Sequence, residues 1–481
     1  MPVDRRMMAR GARIGAGVVG VAAVAVSVGV AFFVPLPSVT AEPRSTVIDP
    51  TPAAELRTCP GGVVRLSDDS GQDATAISSV GTPDVTTFAN VTPDPLETAT
   101  LASPDDRAGR SDAAPERVAL PAGEQDGSTL FAASQAQVVS TSEISGLAVA
   151  ACTQPSSDTW LVAGATTTGR TSFVVLTNAA DVAAKADIAI FDEEGQVEAP
   201  GTRGIDIPAR STRILSLAGL APDATSPVLH VTTTVGSVAA AVQQSVVRGL
   251  EPGGVEIAGP SAPPSTEATV PGIEITSSAT ISSRLADADE GDLQSVLRLY
   301  LPGTEPAAVR IHIQGETEGS AATDYQVGLT PGVVTDFPLQ DIPDGTYTVT
   351  LQSDHPVVTA ARTSRVDGAT PDLAWFPSVL PQDEAFVIAT PSATGPRVHL
   401  YNPSDSAMTA SVTVGGETAP AVTVSIPARS ARYVELTGGL GYEVETDGPV
   451  FASLSVIGDA RLAGMGLMPP DAASPAVLVY G

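Results

Sequence analysis

An internal repeat sets the narrowest limit on the architecture of this chain. The run Ile-Pro-Ala-Arg-Ser-Thr-Arg at 207–213 returns as Ile-Pro-Ala-Arg-Ser-Ala-Arg at 426–432, 219 residues later. Each copy follows an alternating segment that ends at an asparagine, Asn178 in the first case and Asn402 in the second. Residues 297–313 show the same alternation without the Pro-Ala-Arg-Ser turn. Such a repeat indicates tandem copies of one folding unit. We predict three units, at 155–255, 270–366 and 370–481.

Within each unit, apolar and polar residues alternate over short runs bounded by turn residues, which is typical of half-buried β-strands. The last unit has seven such runs, at 386–389, 398–401, 409–414, 422–426, 432–436, 442–445 and 451–456. Seven strands in about 100 residues is the pattern of an immunoglobulin-like sandwich. We therefore predict an all-β protein of tandem immunoglobulin-like β-sandwich units after one N-terminal transmembrane helix. A β-propeller, with each unit split into two blades of about 50 residues, is the alternative.

Net charge and composition argue against a nucleic-acid-binding protein and against a fold of long helices. The chain has 25 Lys and Arg against 54 Asp and Glu, a net charge of −29, so it lacks the basic face that nucleic acid requires. Glycine (44) and proline (41) are frequent, which favours turns and short strands over long helices. Because aromatic residues are only 4%, the cores must be built from Ala, Val, Leu and Ile.

The N-terminus carries an export signal. Four arginines precede an uncharged apolar run at 14–34, which is long enough to cross a bilayer as one helix. The basic flank stays in the cytoplasm. We therefore expect 1–41 to be a signal-anchor in the cell membrane, with the C-terminal part extracytoplasmic. The alternative is a cleaved secretory signal, because Val-Thr-Ala at 39–41 resembles a cleavage site and a cut near Ala41 would release the chain.

Residues 42–154 form a further region, which we predict to hold a disulfide around an acidic insertion. The segment 68–127 is rich in Asp, Glu, Pro and Thr, and we expect it to be largely unstructured. The two cysteines of the chain, Cys59 and Cys152, lie in apolar segments on either side of it. In an exported chain such a pair most simply forms an intramolecular disulfide. Two free thiols or an intermolecular bridge are the alternatives.

The sequence contains no pattern that would identify an enzyme. Neither a nucleophile elbow nor a phosphate-binding loop occurs. The histidines have no metal-binding spacing; they are His230, His312, His355 and His399. We therefore predict no catalytic residue, no metal site and no cofactor.

Several charged motifs have both a functional and a structural interpretation. The acidic runs 192–195 and 287–292 resemble calcium loops but lack the EF-hand register, so we expect solvated turns there. Arg210 and Arg429 occupy the same place in the repeat. They could bind an anionic envelope group, but we favour a structural role beside a Pro-initiated turn.

The only two tryptophans, Trp160 and Trp375, are candidates for contact with a glycan. They lie about two units apart, at similar places in the repeat. This placement favours core packing over sugar stacking, because a large aromatic side chain usually serves the core.

Several segments together resemble a known family. They are Cys59-Pro60-Gly61, the run from Gly146 to Cys152, the run from Trp160 to Gly164, and the strand that turns at Asn178. They resemble an actinobacterial exported, membrane-anchored protein family that is catalogued only as a domain of unknown function. The resemblance covers most of the chain after Leu56. It implies a compartment and a lineage but no activity.

Two functions follow as expectations. We favour a non-catalytic interaction or scaffold protein of the bacterial cell envelope, held in the membrane by its N-terminal helix and presenting β-sandwiches to an envelope protein or polysaccharide. The alternative is an envelope-polysaccharide-binding or carbohydrate-active accessory protein, with Trp160 and Trp375 against the glycan. Neither function involves nucleic acid.

Overall fold

The computed structural model describes residues 19–24, 45–48, 54–67, 76–92, 94–122, 129–285, 288–368, 370–470 and 477–480. The chain divides into a small unit, Met1–Thr51 with Ala473–Gly481, and a large unit, Pro52–Ala472. In the small unit, β1 (Ser45–Ile48) pairs antiparallel with a strand near the C-terminus.

Of the predicted signal-anchor 1–41, only residues 19–24 are described, and they are helical. The rest of that segment lies outside the described residues. Within the described part of the chain, no helix has the length and apolar character needed to span a membrane.

Four β-sandwiches build the large unit, and sandwich I is the one that carries both cysteines. Its strands are β2 (Glu55–Cys59), β3 (Val64–Leu66), β4 (Ile77–Ser79), β5 (Asp84–Ala89), β6 (Glu97–Thr100), β7 (Glu116–Leu120), β8 (Phe131–Ser140) and β9 (Ser145–Ala151), with a 3-10 turn at Ser111–Ala113. They form one sheet in the order β2-β7-β6, a second in the order β5-β8-β9, and a β3-β4 hairpin.

Sandwich II has the fuller version of the same strand order. Its strands are β10 (Asp158–Leu161), β11 (Arg170–Asn178), β12 (Ala184–Asp192), β13 (Gly195–Val197), β14 (Ile205–Ile207), β15 (Ser211–Ser216), β16 (Val228–Val235), β17 (Ala239–Arg248) and β18 (Glu251–Ala258), with a 3-10 turn at Leu217–Gly219. One sheet runs β10-β16-β12-β13, with β14 also beside β12, and the other runs β15-β11-β17-β18.

Sandwich III keeps this order but joins its two sheets through one long strand. Its elements are β19 (Ser265–Ile275), a helix (Ser278–Arg284), a 3-10 helix (Ala288–Leu293), β20 (Val296–Tyr300), β21 (Ala307–Gly315), β22 (Ala322–Leu329), β23 (Val334–Pro338), β24 (Gly345–Asp367) and β25 (Thr370–Pro377). The 23-residue β24 pairs with β19 and β21 at its start and with β20 and β25 at its end.

Sandwich IV repeats most of the strand order of sandwich II and has one additional short strand. Its strands are β26 (Pro381–Gln382), β27 (Ala385–Ala389), β28 (Pro396–Asn402), β29 (Met408–Val414), β30 (Val422–Ile426), β31 (Ser430–Glu435), β32 (Gly441–Thr446), β33 (Val450–Gly458) and β34 (Arg461–Gly466). One sheet runs β27-β32-β29-β30, and the other has β31-β28-β33 with β34 and the additional short strand, β26, beside β33. The last strand of the chain, β35 (Val477–Tyr480), is the partner of β1.

These sandwiches form because their strands alternate. Along β12 and β21, buried residues alternate with more exposed ones, so each strand buries one face between two sheets. Aliphatic side chains dominate the cores, as predicted; Ile190 and Leu229 in sandwich II and Val398 and Leu454 in sandwich IV are examples. Strands account for 58% of the described residues and helices for 6%. The prediction of an all-β protein of tandem sandwiches is confirmed.

The strand pairing refines the predicted organisation. All seven strands predicted for the last unit are present, and β34 follows them. The segment 370–377 pairs with β24 and therefore belongs to sandwich III, whereas the prediction placed it in the last unit. The region 42–154, predicted as a disulfide-clamped region around an acidic insertion, contains a fourth sandwich.

The acidic segment 68–127 is the clearest correction. We expected it to be unstructured, but its described residues, 76–92 and 94–122, contain β4 to β7. Two of its described carboxylates make specific contacts with the folded chain. Asp105 accepts hydrogen bonds from Arg213 and from the backbone of Ile214 in sandwich II, and Asp106 accepts from two backbone N–H groups. The acidic composition led to a prediction of disorder. The segment is folded, and acids such as these accept hydrogen bonds from turn N–H groups and pair with arginine.

The predicted disulfide is present. Cys59 at the end of β2 bonds to Cys152 just after β9, so it ties the two sheets of sandwich I together across their shared core.

The last strands of the four sandwiches meet in the interior of the large unit. These are β9, β18, β25 and β34, which we call the central quartet. Each contacts the next one in turn, and β34 contacts β9, so the sandwiches form a closed cycle. Glycine permits the close approach: a Cβ at Gly146 would lie 2.6 Å from the backbone nitrogen of Val255, and one at Gly464 would lie 2.7 Å from the carbonyl oxygen of Trp375.

Candidate functional site

A cavity of about 380 Å³ lies beside the disulfide and is the candidate functional site. Three sandwiches wall it, through the strands β2, β10 and β27. Each of these is the first strand of its sandwich or nearly so, and each lies at the edge of its sheet. The strands β9 and β34 of the central quartet end at the cavity, through Ala151 and Gly466. Its volume falls in the range of roughly 300–1,000 Å³ that is usual for small-molecule sites.

Apolar side chains make up much of the wall. They come from β8, β10, β27, β34 and the segment after β34, and they include Phe131, Trp160, Phe386, Met465 and Leu467. Trp160 is 7% exposed and stacks on His230 with ring centroids 4.0 Å apart. Rigid aromatic rings and adaptable methionines together suit an apolar ligand body.

Among the described residues of the wall, the one cationic side chain is Arg57, and it is already engaged. Its guanidinium pairs with Glu55 at 2.8 Å, donates to Gln154 Oε1 at 3.2 Å and lies 4.9 Å from the centre of the Phe131 ring. These contacts hold the guanidinium against the wall, with its charge largely balanced by Glu55.

Two further carboxylates line the cavity from different sandwiches. Asp158 of sandwich II contacts His230 Nε2 at 3.1 Å, and its side chain is 59% exposed. Asp383 of sandwich IV is exposed. With Glu55 and Arg57, they give the charged lining residues a formal net charge of −2. The electrostatics of the site therefore favour positive charge near these two aspartates.

The structure separates the two predicted glycan contacts. Trp160 lines the cavity, whereas Trp375 does not. Trp375 is 1% exposed, donates from Nε1 to Gln244 Oε1 at 2.8 Å, and has the Arg298 guanidinium 4.7 Å above its ring. The core-packing interpretation therefore describes Trp375.

One array resembles a hydrolase triad. His399 Nδ1 lies 2.6 Å from Glu316 Oε2, and its Nε2 lies 2.8 Å from Ser455 Oγ. However, the Ser455 hydroxyl donates to Glu274 Oε1 at 2.9 Å, so it accepts from Nε2, and His399 is not placed to take its proton. All three residues are fully buried. Sequence reasoning missed this array because its members are far apart in the chain.

The buried Glu316 carboxylate stays ionised in this array. Burial would raise its pKa, but the neighbouring His399, together with hydrogen bonds from the Thr348 hydroxyl and the Gly272 N–H, holds the pKa of Glu316 below its usual value. Because Glu316 belongs to sandwich III and His399 and Ser455 belong to sandwich IV, the array joins these two sandwiches.

The repeated turns are structural. Asn178 and Asn402 are buried, and each donates from Nδ2 to three backbone carbonyl oxygens at equivalent places. Arg210 and Arg429 have positive φ, 51° and 52°, and each pairs with an aspartate on the neighbouring turn. The repeated run marks a turn that the asparagine clamps.

The two acidic runs differ. In 192–195, Asp192 Oδ1 accepts from the N–H groups of Glu194 and Gly195, which makes the predicted turn. In 287–292, our expectation of a solvated turn was wrong for Asp292, which is largely buried and accepts two hydrogen bonds each from Arg170 and Arg248. Among the described residues, no group of three or more potential ligands could hold a metal ion.

Two buried acids in the central quartet were also missed. Asp372 Oδ2 accepts from the backbone N–H groups of Leu147 and Leu462. Glu256 lies against the same two strands, within 3.5 Å of the nitrogens of Val149 and Gly464. Burial raises the pKa of Asp372 to about 7 and that of Glu256 well above its usual value.

Comparison of the chain with known proteins identifies its family, but that family has no assigned activity. The model of a family described as "Family of unknown function (DUF5719)" matches residues 108–437, more than half of the chain. No curated protein matches the chain. A solved structure, "Crystal Structure of Thermotoga maritima 1070", is 20% identical with a TM-score of 0.19, and the match covers 23% of this chain and 90% of that one; a likeness at this TM-score carries no argument. The predicted resemblance to a family of unknown function is confirmed, and actinobacterial origin stays a prediction.

Proposed function

The chain belongs to the DUF5719 family of unknown function, and from that premise we propose that it is a non-catalytic binding protein of the cell envelope. In this proposal, the N-terminal segment anchors the chain in the membrane, and the four sandwiches form a rigid body outside the cytoplasm. The cavity then holds an envelope component. The observation that carries the proposal is the cavity itself, which three sandwiches wall beside a disulfide.

Two further observations support this proposal. A disulfide is typical of proteins that leave the cytoplasm, and the one here joins the sheets of sandwich I next to the cavity. The Glu316–His399–Ser455 array lies in a sealed interface between sandwiches, so it gives a substrate no access. A recess that lies apart from this buried array suits binding better than turnover.

The test is crosslinking in living cells with the full-length tagged chain, followed by mass spectrometry of the proteins and glycans recovered with it. Gly259 lines the cavity, and a Cβ there meets nothing within 4 Å. Gly259→Phe should therefore place a phenyl ring at the cavity wall and reduce recovery of the partner at least fivefold. Gly328→Phe is the matched control, since Gly328 is exposed on β22, also has open space, and does not line the cavity. Equal recovery with both variants would remove the cavity from the proposal.

Binding of envelope polysaccharide is the second candidate, and the position of Trp160 in the cavity wall favours it. In the same experiment, recovery of glycan without a protein partner, lost in Gly259→Phe, would select this candidate.

A further inference from the structure

We infer that the cavity takes a ligand that joins an apolar body to a positively charged group such as an amine or ammonium. This inference rests on the proposed binding function and names the chemistry of its ligand. The first step is the wall: Phe131, Trp160 and Phe386 provide rings from three sandwiches, and Met465 adds a flexible thioether. A site of this kind gains most of its affinity from burying apolar ligand surface.

The second step is the charge of the lining. An anionic ligand would need a cation with donors to spare, but Arg57 is held by Glu55, Gln154 and the Phe131 ring. Taking Arg57 away from Glu55 would leave that carboxylate without its ion pair in a half-buried position. The wall therefore disfavours a carboxylate, sulfate or phosphate group.

The third step is the placement of the other carboxylates. Asp158 and Asp383 reach the cavity from sandwiches II and IV, and both are more exposed than the apolar wall. A ligand whose apolar part lies against the rings can thus keep a positive group partly hydrated near these aspartates. The overall charge of −29 adds long-range attraction for cations and repulsion for anions.

The test uses three probes with one body and different ends: 4-phenylbutylamine, 4-phenylbutanol and 4-phenylbutanoate. Binding to the purified full-length chain is measured by saturation-transfer NMR and calorimetry. We expect the amine to bind at least fivefold more tightly than the alcohol, and the carboxylate to bind most weakly. Gly259→Phe should abolish binding of all three, whereas Gly328→Phe should not change it.

Charge variants separate electrostatics from packing. Asp158→Asn and Asp383→Asn should each weaken amine binding about threefold and leave alcohol binding unchanged, as expected for partly exposed charge pairs. Asp324→Asn is a matched control, because Asp324 is also exposed and also pairs with a histidine, His312 at 2.9 Å, but does not line the cavity.

Each other outcome overturns a defined part of the inference. Equal binding of amine and alcohol, or tighter binding of the carboxylate, would overturn the predicted charge of the ligand. If none of the probes binds, the inference fails, while recovery of a Gly259-dependent partner from cells would still uphold the proposed function. If the probes bind but no Gly259-dependent partner is recovered from cells, the proposed function is contradicted and the inferred ligand chemistry stands.

Discussion

Asp372 carries a carboxyl group where the final strands of the four sandwiches meet. Burial raises its pKa from 3.8 to about 7, although hydrogen bonds from the N–H groups of Leu462, Leu147 and Leu373 oppose this shift. An unfolded chain would release this proton near pH 4, whereas the folded protein keeps it to about pH 7. Folding therefore takes up a proton within this window, so stability must fall as the pH rises through it.

We expect the free energy of unfolding to decrease between pH 5 and pH 7.5. Asp372 alone contributes a decrease of at most about 4 kcal/mol from pH 4 to pH 7, and Glu256, whose pKa is also raised, contributes with the same sign. Asp372→Asn should make this pH dependence clearly shallower, because an amide does not titrate. Urea unfolding at several pH values measures the effect. The exposed variant Asp324→Asn should keep the wild-type slope, and a wild-type slope in Asp372→Asn would contradict the assignment.

At the scale of elements, the central quartet brings four strands together at backbone distance. Their sequences differ widely, from Ser-Gly-Leu-Ala-Val-Ala-Ala in β9 to Arg-Leu-Ala-Gly-Met-Gly in β34. They share small residues where one strand crosses the next. Interiors are packed too tightly to accept an added methyl group against backbone without a shift.

Gly146→Ala tests this packing. Its Cβ would lie 2.6 Å from both the Val255 nitrogen and Asp372 Oδ1, so we expect a loss of about 2 kcal/mol or more in the free energy of unfolding. In Gly328→Ala the new methyl group meets nothing, and the change should stay within about 0.5 kcal/mol. Urea midpoints of the two variants give the comparison. Equal midpoints would mean that the quartet is looser than its geometry indicates.

At the scale of the whole molecule, the cores run across sandwich boundaries. Val63 and Ala148 of sandwich I pack with Ala241 and Val255 of sandwich II in one cluster, and Tyr300 of sandwich III joins the core of sandwich II. Because no sandwich closes its core alone, we expect 52–472 to unfold in one transition.

Removing the disulfide tests how far sandwich I supports the rest. The bridge closes a loop over 93 positions, for which loop-closure entropy gives about 4.6 kcal/mol. The double variant Cys59→Ala/Cys152→Ala should lose about 2–5 kcal/mol while still unfolding in one transition by both circular dichroism and tryptophan fluorescence. A separate early transition would instead show that sandwich I folds as an independent domain.

Sequence reasoning succeeded where structure is local. The Ile-Pro-Ala-Arg turn and the preceding Asn178 or Asn402 lie in short alternating segments, so the strand positions of sandwich IV and the matching segments of sandwich II could be anticipated. It failed where contacts join distant positions. Sandwich I was missed because β3 to β7 are short and lie among acidic residues. The Asp372 carboxyl group gave no signal because two of its donors come from the distant strands β9 and β34.

The cavity could not be anticipated for the same reason. Arg57, Phe131, Trp160 and Phe386 come from three sandwiches and meet only once the cycle has closed. No local spacing encodes a recess of this kind, although Trp160 was named as a candidate contact from its residue type alone.

The closed cycle of sandwiches has a consequence for how this protein can work and evolve. Rings of similar modules can also be assembled from separate identical subunits, which come apart on dilution and all carry the same sequence. Here one chain supplies all four positions, so the ring cannot dissociate into its modules however scarce the protein is. Each position is also free to mutate alone, which lets a recess form at a single corner of the ring without being copied around it.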